Sequence, residues 1–377
     1  MVAFFGLYVH FPFCLTKCPY CDFNSFVAPD IPHARYADAT LREIESRLPD
    51  FDGTPATLYF GGGTPGLWAP LEIKRIVDFA RSLGLSHDAE ITVEANPGAL
   101  ETPSLEAIRD AGANRISFGC QSFNDRHLAT LGRRHDAREA HEAPRKARDA
   151  GFDNLSLDLI FGIPAQTVDE WRTDLDKAIA FAPEHLSLYS LSLEPEVPMA
   201  KEARAGRLTL LEDAFHNEMF NVARRTTRAA GYRHYEISNY AKPGREAVHN
   251  SLYWSGAPIL AVGAGASGFE VRRHRYSNIK GPEAYMQRAI AGERPESFRE
   301  SIDEAMRMRE AIMTGLRRID GIDLADFERR FAVRLSERYA EPIRRLVACG
   351  LVTIEDGALR LTDSGLFVMN SVLVEFF

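Results

Sequence analysis

The chain has 377 residues, of which 45% are hydrophobic and 26% are charged, a composition typical of a soluble globular protein. This length predicts one large domain and a smaller one. The net charge of −8 argues against general nucleic-acid binding. No apolar run reaches membrane-spanning length, and the first residues lack the basic segment of a secretory signal.

Short apolar strands alternate with amphipathic helical patterns over the first two thirds of the chain. The predicted strands are Leu7–Phe11, Thr57–Phe60, Glu90–Glu94, Arg115–Phe118, Leu155–Ile160 and His185–Ser190. The predicted helices are Ala34–Arg47, Leu71–Leu83, Ser104–Asp110, Ala137–Ala150 and Val168–Ala180. Six β-then-α units predict an α/β fold, an incomplete (β/α)6 barrel with a parallel sheet inside. Functional residues are then expected at the carboxyl ends of the strands.

The last third of the sequence has a different character. A helix near Leu211–Ala230 precedes an irregular, glycine-rich region from Gly231 to Gly281. Helices follow from about Ser301, and Asp356-Gly357 between two alternating runs indicates a β-hairpin. We therefore predict a barrel over 1–230, an irregular extension over 231–300 and a mainly helical, winged-helix-like module over 301–377. That module holds 11 arginines, no lysine and 13 acidic residues, which favours a lid or packing element over a DNA reader.

Cys14, Cys18 and Cys21 form a C-x3-C-x2-C loop directly after the first predicted strand. Three thiolates can hold three irons of a [4Fe–4S] cluster and leave the fourth iron open. An open metal position is where chemistry takes place, and here it would chelate the amino and carboxylate groups of S-adenosylmethionine (SAM). Since such thiolates must stay reduced, the cytoplasm is the expected compartment.

Two other readings of the cysteines fit less well. A structural zinc site usually needs four ligands, often as two cysteine pairs, and no second pair exists here. A disulfide framework does not suit a long chain with five cysteines and no secretory signal. The remaining cysteines, Cys120 and Cys349, stand alone in apolar contexts and are interpreted as buried thiols.

Further candidate residues follow the other predicted strands. Gly61-Gly62-Gly63-Thr64-Pro65 comes directly after the second strand, where glycine lets the backbone approach a ligand closely. Polar side chains at the next strands could accept ribose hydroxyls or pair with a carboxylate: Glu94, Gln121, Arg133 and Asp158. Taken singly each is more typical of a surface or capping residue, but their repetition at strand ends predicts a SAM site.

The segment His249-Asn-Ser-Leu-Tyr253-Trp254 is a candidate haem site. A neutral imidazole is a suitable axial ligand for haem iron, and the two aromatic rings could lie against the porphyrin. The alternative is a structural histidine beside aromatic core residues, and both readings stay open. Downstream, Arg272, Arg273 and Arg275 could pair with haem propionates or form a solvated charge run.

These motifs resemble the coproporphyrinogen-oxidase-like branch of radical SAM proteins over nearly the whole chain. The resemblance is carried by Tyr-x-His-x-Pro-Phe-Cys-x3-Cys-x2-Cys, Gly-Gly-Gly-Thr-Pro, Val-Glu-Ala-Asn-Pro, Gly-x-Gln-Ser-Phe and Asp-Leu-Ile-Phe-Gly-Ile-Pro. It implies a [4Fe–4S] cluster, and SAM contacts at Tyr8, Gly62, Gly63, Thr64, Glu94, Gln121, Arg133 and Asp158. Arg133 matches less cleanly because Arg134 adjoins it.

The branch has two groups. Oxygen-independent coproporphyrinogen III oxidases carry a further cysteine two residues after the third, where this chain has Phe23. HemW-type haem chaperones typically have Cys-Asp-Phe at that place and His-Asn-x-x-Tyr-Trp later, and both features are present here. The resemblance to HemW implies haem bound by His249, with Tyr253 and Trp254 beside it. It also implies haem-receiving client proteins and an electron donor, while peripheral docking to a membrane complex and a homodimer stay open.

Overall fold

Strands and helices alternate along most of the chain in the computed structural model, which describes residues 3–102, 104–270 and 274–377. The strands are β1 Phe4–Phe11, β2 Phe13–Cys14, β3 Phe26–Val27, β4 Thr54–Gly62, β5 Ile91–Ala95, β6 Arg115–Gln121, β7 Leu155–Phe161, β8 His185–Ser190, β9 Arg233–Glu236, β10 Asn239–Ala241, β11 Ile259–Val262, β12 Ser267–Phe269, β13 His274–Asn278, β14 Glu296–Ser301, β15 Ile322–Asp323, β16 Val352–Glu355 and β17 Ala358–Leu361. The helices are α1 His33–Arg47, α2 Pro70–Ser82, α3 Leu105–Asp110, α4 Asp125–Thr130, α5 Ala137–Asp149, α6 Val168–Ala180, α7 Pro198–Arg204, α8 Asp213–Ala229, α9 Val248–Ser255, α10 Pro282–Ile290, α11 Glu304–Gly315, α12 Leu324–Phe331, α13 Leu335–Arg338, α14 Ala340–Ala348, α15 Asp363–Phe367 and α16 Met369–Val374.

A central sheet of twelve described strands organises the molecule, in the order β14-β13-β12-β11-β1-β4-β5-β6-β7-β8-β10-β9. The six predicted strands are confirmed as β1 and β4 to β8, and neighbours among them pair in parallel. Side chains alternate between the two faces, so that Leu7, Val9 and Phe11 pack into the main apolar core with the surrounding helices. The order and direction of these strands confirm the predicted α/β class.

Helix α6 shows how the local sequence determines where a helix begins. Thr167 accepts a hydrogen bond from the Glu170 backbone, and the Glu170 side chain accepts one from the Thr167 backbone. This reciprocal capping satisfies two amides that a helix start would leave unpaired. Trp171 and Leu175 then lie on one face and are fully buried against the sheet and α8. The helix begins at Val168 and ends at Ala180, as predicted.

The prediction of an irregular region over Gly231–Gly281 is wrong. This segment extends both edges of the central sheet: β10 and β9 continue it beyond β8, and β11 pairs in parallel with β1. Strands β12, β13 and β14 follow as an antiparallel series. The strands were missed because they are short and interrupted by glycines, and because β11 finds its partner some 250 residues earlier in the chain.

A buried ionic cluster attaches this segment to helix α1. Arg47 donates to Glu43 at 2.6 Å, to Glu296 at 2.9 Å and to Asn278 at 2.8 Å. Glu43 also accepts from the hydroxyl of Tyr285 at 2.7 Å and from Asn278 and a backbone amide of the β11–β12 turn. Because the side chains of Arg47 and Glu43 are fully buried, protein groups must replace all of their water contacts.

The C-terminal residues form a module with an apolar core of their own, built around Ile312, Phe327, Leu346 and Leu359. Its sheet has the order β15-β17-β16, and the predicted hairpin joins β16 and β17. Asp356 and Gly357 both have positive φ, 50° and 77°, as a two-residue hairpin turn requires. The mainly helical, winged-helix-like prediction is therefore confirmed.

Of the two cysteines that were predicted to be buried thiols, Cys120 and Cys349, only one is buried. Cys120 is buried in the main core, whereas Cys349 is exposed, because it follows the last turn of α14 on the solvent side. None of the described helices is both long enough and apolar enough to cross a bilayer.

Candidate cluster and cofactor site

A cavity of about 340 Å³ lies at the carboxyl ends of the parallel strands. We call it the cluster cavity, because Cys14, Cys18 and Cys21 all line it. Cys14 ends β2, and a turn in which the Cys21 amide donates to the Cys18 carbonyl at 3.1 Å brings the other two together. Burial is the largest cause that raises the pKa of the Cys14 and Cys21 thiols. Since a positive iron–sulfur centre favours thiolates, these buried thiols fit a metal cluster.

The spacing of the thiols bears on which metal they suit. Among the described residues, no three histidine, cysteine, aspartate or glutamate side chains converge closely enough to hold a single metal ion. A mononuclear zinc site therefore finds no support there. A [4Fe–4S] cluster needs no such convergence, because each thiolate binds a different iron.

Arg133, rather than its neighbour Arg134, is held against the cysteine loop. Its guanidinium donates to the Cys18 sulfur at 3.6 Å and to the Gly119 carbonyl at 2.9 Å, and it also contacts the Asn96 side chain. This contact places a positively charged side chain beside the sulfur that would bind one iron of the cluster.

Two half-buried carboxylates, Glu94 and Asp158, line the cluster cavity. Glu94 accepts hydrogen bonds from the Tyr59 hydroxyl at 2.8 Å and the Gly62 amide at 3.0 Å, and burial raises its pKa to about 7. Asp158 accepts from Ser117 at 3.1 Å, and burial also raises its pKa. Both carboxylates line the cavity and keep lone pairs for a ligand hydroxyl or amine.

Gly62 and Gly63, at the end of β4, occupy positions where a side chain would collide with neighbouring residues. A Cβ at Gly62 would lie 2.6 Å from the His10 ring, and the φ of Gly62 is +118°. A Cβ at Gly63 would lie 3.0 Å from the Cys14 sulfur and 2.7 Å from a backbone oxygen. The backbone of these glycines therefore packs directly against the cluster loop, while the predicted close approach to a ligand stays a prediction. Thr64 completes the turn by donating to the Cys14 sulfur at 3.5 Å.

Gln121 offers an unsatisfied acceptor to the cavity. It ends β6 with a φ of 65°, and its Oε1 is buried without a hydrogen-bond partner in the described part of the chain. A buried polar atom without a partner is costly unless a ligand supplies the donor. Its position in the lining of the cluster cavity therefore fits a bound amine or hydroxyl.

The structure brings all the predicted SAM residues together except one. Gly62, Gly63, Thr64, Glu94, Gln121, Arg133 and Asp158 line the cluster cavity. Tyr8 does not: it lies below the cavity, with its hydroxyl 3.0 Å from His10 Nδ1 and its ring stacked on Tyr59. Because side chains alternate along β1, Tyr8 faces the barrel interior one layer beneath the strand ends.

The sequence reasoning missed Asn96, which lines the cavity, and Tyr59, which does not line it but donates a hydrogen bond to Glu94. Asn96 donates to Thr64 at 3.3 Å and to Glu101 at 3.1 Å, and it contacts Arg133, so it links three segments of the cavity wall. Asn96 stands in the quoted Val-Glu-Ala-Asn-Pro motif, directly after a strand end, and that position could have indicated it. Tyr59 carries no such signal, because an aromatic residue in an apolar strand is usually core.

The histidine of the His-Asn-x-x-Tyr-Trp segment lies at the opposite, amino end of the barrel. Helix α9 is fixed there by Glu90, which accepts hydrogen bonds from the backbone amides of Val248 and His249 at 3.0 and 2.9 Å. His249 Nδ1 is hydrogen-bonded to the Thr57 hydroxyl at 2.8 Å, and its ring stacks on Tyr59 with centroids 5.0 Å apart. The side chain is only 1% exposed, and burial lowers its pKa to about 3, so the imidazole is neutral.

The aromatic neighbours of His249 have separate environments. The Tyr253 ring meets the His249 ring edge-on at 5.5 Å, whereas Trp254 lies under the guanidinium of Arg317 at 5.4 Å. Arg275 forms ion pairs with Glu300 at 3.4 Å and with Glu310. Arg272 and Arg273 lie outside the described residues.

The chain resembles known proteins along its whole length. Family profiles match it to the Radical SAM superfamily over residues 8–178 and to the HemN C-terminal domain over residues 302–368. A protein of Lactococcus lactis named heme chaperone HemW is 32% identical, with 98% of this chain and 96% of that protein covered. The Escherichia coli protein of the same name is 34% identical, with coverage of 98% and 97%.

One solved structure supports the fold. The coproporphyrinogen III oxidase HemN from Escherichia coli, described as a radical SAM enzyme, superposes with a TM-score of 0.84 and 23% sequence identity, covering 100% of this chain and 90% of that one. At this identity the likeness bears on architecture alone. The full-length similarity to the proteins named HemW is higher, and so the chain belongs to the HemW family within the radical SAM superfamily.

Proposed function

We propose that this protein is a haem chaperone that carries a [4Fe–4S] cluster and SAM and delivers haem to haem-requiring proteins. The observation that carries the proposal is the full-length similarity to proteins named heme chaperone HemW in Lactococcus lactis and Escherichia coli. Phe23 supports it: the position where the related oxidases have a further cysteine is a phenylalanine here, 60% exposed at the rim of the cluster cavity.

In this proposal the cluster cavity holds the cluster and SAM. Cys14, Cys18 and Cys21 would bind three irons, and the Arg133 guanidinium donates a hydrogen bond to the Cys18 sulfur. When bound and reduced, the cluster would supply the electron for cleavage of the SAM sulfonium. The protein's own contribution is to position SAM: Gly62, Gly63 and Thr64 border it on one side, and Glu94, Gln121 and Asp158 present acceptors from below.

His249 has the protonation state and the free nitrogen that a haem ligand needs, but that nitrogen is not accessible to haem. Its Nδ1 is occupied by Thr57, its ring is neutral, and its Nε2 is buried without a partner among the described residues, an arrangement typical of metal-binding histidines. The same burial closes Nε2 to a porphyrin. Haem ligation by His249, with Tyr253 and Trp254 beside it, therefore requires α9 to leave its place at the amino end of the barrel.

The proposal includes partners and a compartment. Haem must pass to a client protein, and the cluster must receive its electron from a donor, so both have to reach the protein. The cytosol suits reduced cluster thiolates. A homodimer is part of the proposal and is tested by size-exclusion chromatography of the cluster-loaded protein.

An oxygen-independent coproporphyrinogen III oxidase is the second candidate, favoured by the fold shared with HemN at a TM-score of 0.84. Shared architecture does not determine the reaction, since one fold supports many functions. The two functions differ in what they consume: an oxidase uses SAM in proportion to decarboxylated porphyrinogen, whereas a chaperone binds haem without such turnover.

The test is an anaerobic haem titration of the cluster-loaded protein, together with an assay of coproporphyrinogen decarboxylation. We expect saturable one-to-one haem binding with a histidine-ligated absorbance spectrum and no porphyrinogen turnover. SAM consumption matched to decarboxylation, without stoichiometric haem binding, would refute the chaperone and support the oxidase.

A further inference from the structure

A separate cavity of about 260 Å³ lies where helix α9, the edge strands β12 and β13 and the C-terminal module meet. Its lining includes Tyr253, Gly256 and Ala257 from α9 and the turn after it, and side chains of α11 and α12 from the C-terminal module. It shares no described lining residue with the cluster cavity. Because α9 carries the His-Asn-x-x-Tyr-Trp segment, this cavity adjoins the candidate haem ligand.

The charge of this cavity is positive. Three arginines line it: Arg275 of β13, Arg307 of α11 and Arg330 of α12. Among the described lining residues Glu310 is the one with a negative charge, and it forms an ion pair with Arg275. Arg307 and Arg330 therefore leave an excess of positive charge. We call this cavity the arginine cavity.

Arg307 and Arg330 are held in place by the C-terminal module itself. Their guanidinium groups lie 5.5 and 5.3 Å from the centre of the Phe331 ring, which is buried in the core of that module. Arg307 donates to Glu304 at 3.2 Å, and Arg330 lies 3.8 Å from Asp326, beyond hydrogen-bond length. Since a guanidinium has five N–H donors, both arginines keep donors for a ligand.

The ion pairs of these arginines argue against a purely structural role. Arg275 joins two parts of the fold, because it pairs with Glu300 of β14 and with Glu310 of α11. Arg307 and Arg330, in contrast, pair with acidic residues of their own helices, α11 and α12. Those two pairs do not join the C-terminal module to the barrel, so a ligand is the better explanation for the two charges in the cavity.

Apolar side chains form the rest of the wall. Ile259, Phe269 and Met313 line the cavity together with the Tyr253 ring. That ring also meets the His249 imidazole edge-on at 5.5 Å, so a single aromatic ring separates the cavity from the candidate iron ligand. The arrangement suits a ligand with an apolar body and negatively charged groups at one edge.

We propose that the arginine cavity binds the two carboxylates of haem, with Arg307 and Arg330 as their anchors. The inference rests on the proposed chaperone function and deepens it, because it gives the C-terminal module a part in holding haem. Arginine recognises a carboxylate through two parallel hydrogen bonds, and two arginines match two carboxylates. The volume is below the range of about 300–1,000 Å³ found for sites that enclose a small molecule, so the cavity accommodates one edge of the porphyrin.

The same movement of α9 that exposes His249 would widen the arginine cavity, because α9 forms one of its walls. Arg307 and Arg330 belong to other helices and would stay in place as the wall moves. A Cβ at Gly256, directly after α9, would lie 3.2 Å from Arg330 Nη2, so the end of the helix lies against this guanidinium. A carboxylate on Arg330 would therefore contact the end of the helix that has to move.

The experiment compares haem with its dimethyl ester, in which both carboxylates are neutral, in anaerobic titrations of three cluster-loaded proteins. These are wild type, the double variant Arg307→Met/Arg330→Met and the control Arg329→Met. Arg329 is the neighbour of Arg330 on α12, its side chain is 73% exposed, and it is not among the lining residues. We expect wild type to bind the ester at least about tenfold more weakly than haem, the loss expected for one charge-assisted hydrogen bond. The double variant should bind haem about as weakly as the ester, whereas Arg329→Met should behave like wild type.

Three results would overturn the inference while haem binding, and with it the chaperone function, stands. The first is wild type that binds haem and the ester equally well, a comparison that does not depend on the folding of any variant. The second is a double variant that binds haem like wild type. The third is a double variant weakened by the same factor for haem and for the ester, because the arginines would then support the fold and not the carboxylates. Wild type that binds no stoichiometric haem would instead refute the chaperone function itself.

Discussion

Replacing Arg47 by methionine would leave Glu43 as a buried carboxylate without its cationic partner. Arg47 reaches three acceptors on α1, β13 and β14, and its guanidinium also lies 3.6 Å from the centre of the Tyr276 ring. Methionine fills much of the volume, so the main loss is electrostatic. Breaking a buried ion pair by removing one partner costs about 3–5 kcal/mol. We expect the free energy of unfolding of Arg47→Met to fall by an amount in this range.

The measurement is urea-induced unfolding followed by intrinsic tryptophan fluorescence. A matched control is Arg207→Met, which removes an arginine from a pair with Glu202 at 2.6 Å whose Arg207 side chain is 64% exposed. Exposed pairs contribute about 0.2–1 kcal/mol, so this control is expected to change the unfolding free energy only slightly. The double variant Glu43→Gln/Arg47→Met is expected to regain part of the loss, because it removes the unpaired charge.

Two results would refute this reasoning. The first is an Arg47→Met protein whose stability falls no further than that of Arg207→Met. The second is a double variant no more stable than Arg47→Met alone, which would mean that the buried charge of Glu43 is not the source of the cost. In either case the segment from β13 to α10 would have to be held against α1 by apolar packing.

Three further predictions concern the site and the C-terminal module. Cys14→Ser abolishes the visible absorbance of the reconstituted cluster while Cys349→Ser, at an exposed thiol, leaves it unchanged; equal loss in both would contradict the cysteine assignment. Because burial raises the pKa of Glu94 from 4.5 to about 7, its ionisation destabilises the fold as pH rises through this window. The stability of wild type relative to Glu94→Gln should therefore fall between about pH 4.5 and 7 and level off above pH 7 in unfolding experiments, and a constant difference would argue against the shift. Gly357→Val costs about 1–2 kcal/mol in thermal unfolding because it forces a β-branched residue to positive φ, whereas Asp356→Asn, suited to that conformation, is expected to be neutral.

The predicted parts of the fold are those whose signal is local. Apolar runs of four to six residues between turn residues indicated β1 and β4 to β8, and the helical pattern over Val168–Ala180 indicated α6. Strand β11 was missed because Ile259–Val262 is a four-residue run among glycines, and its pairing with β1 depends on residues far away in the chain. Long-range pairing of short strands leaves little trace in a local pattern.

The residues of the candidate site that could be predicted are likewise those with a local sequence signal. The three cysteines were found because their spacing reflects the geometry of one loop, and the strand-end residues because a parallel barrel gathers such ends on one side. Tyr8 lies one layer beneath the cavity lining, a position that the resemblance could not indicate, and its contact with SAM stays a prediction. A further cavity of about 580 Å³ had no sequence signal, since its walls come from β7, β8, α8 and α15, which meet only in the folded chain.

Helix α9 closes the amino end of the barrel. Glu90 and Thr57 fasten the helix across the amino ends of the strands, and the aromatic rings of Tyr59 and Tyr8 fill the layer above it. The cluster cavity consequently opens toward the carboxyl ends of the strands, and a protein that reduces the cluster would have to approach from that side.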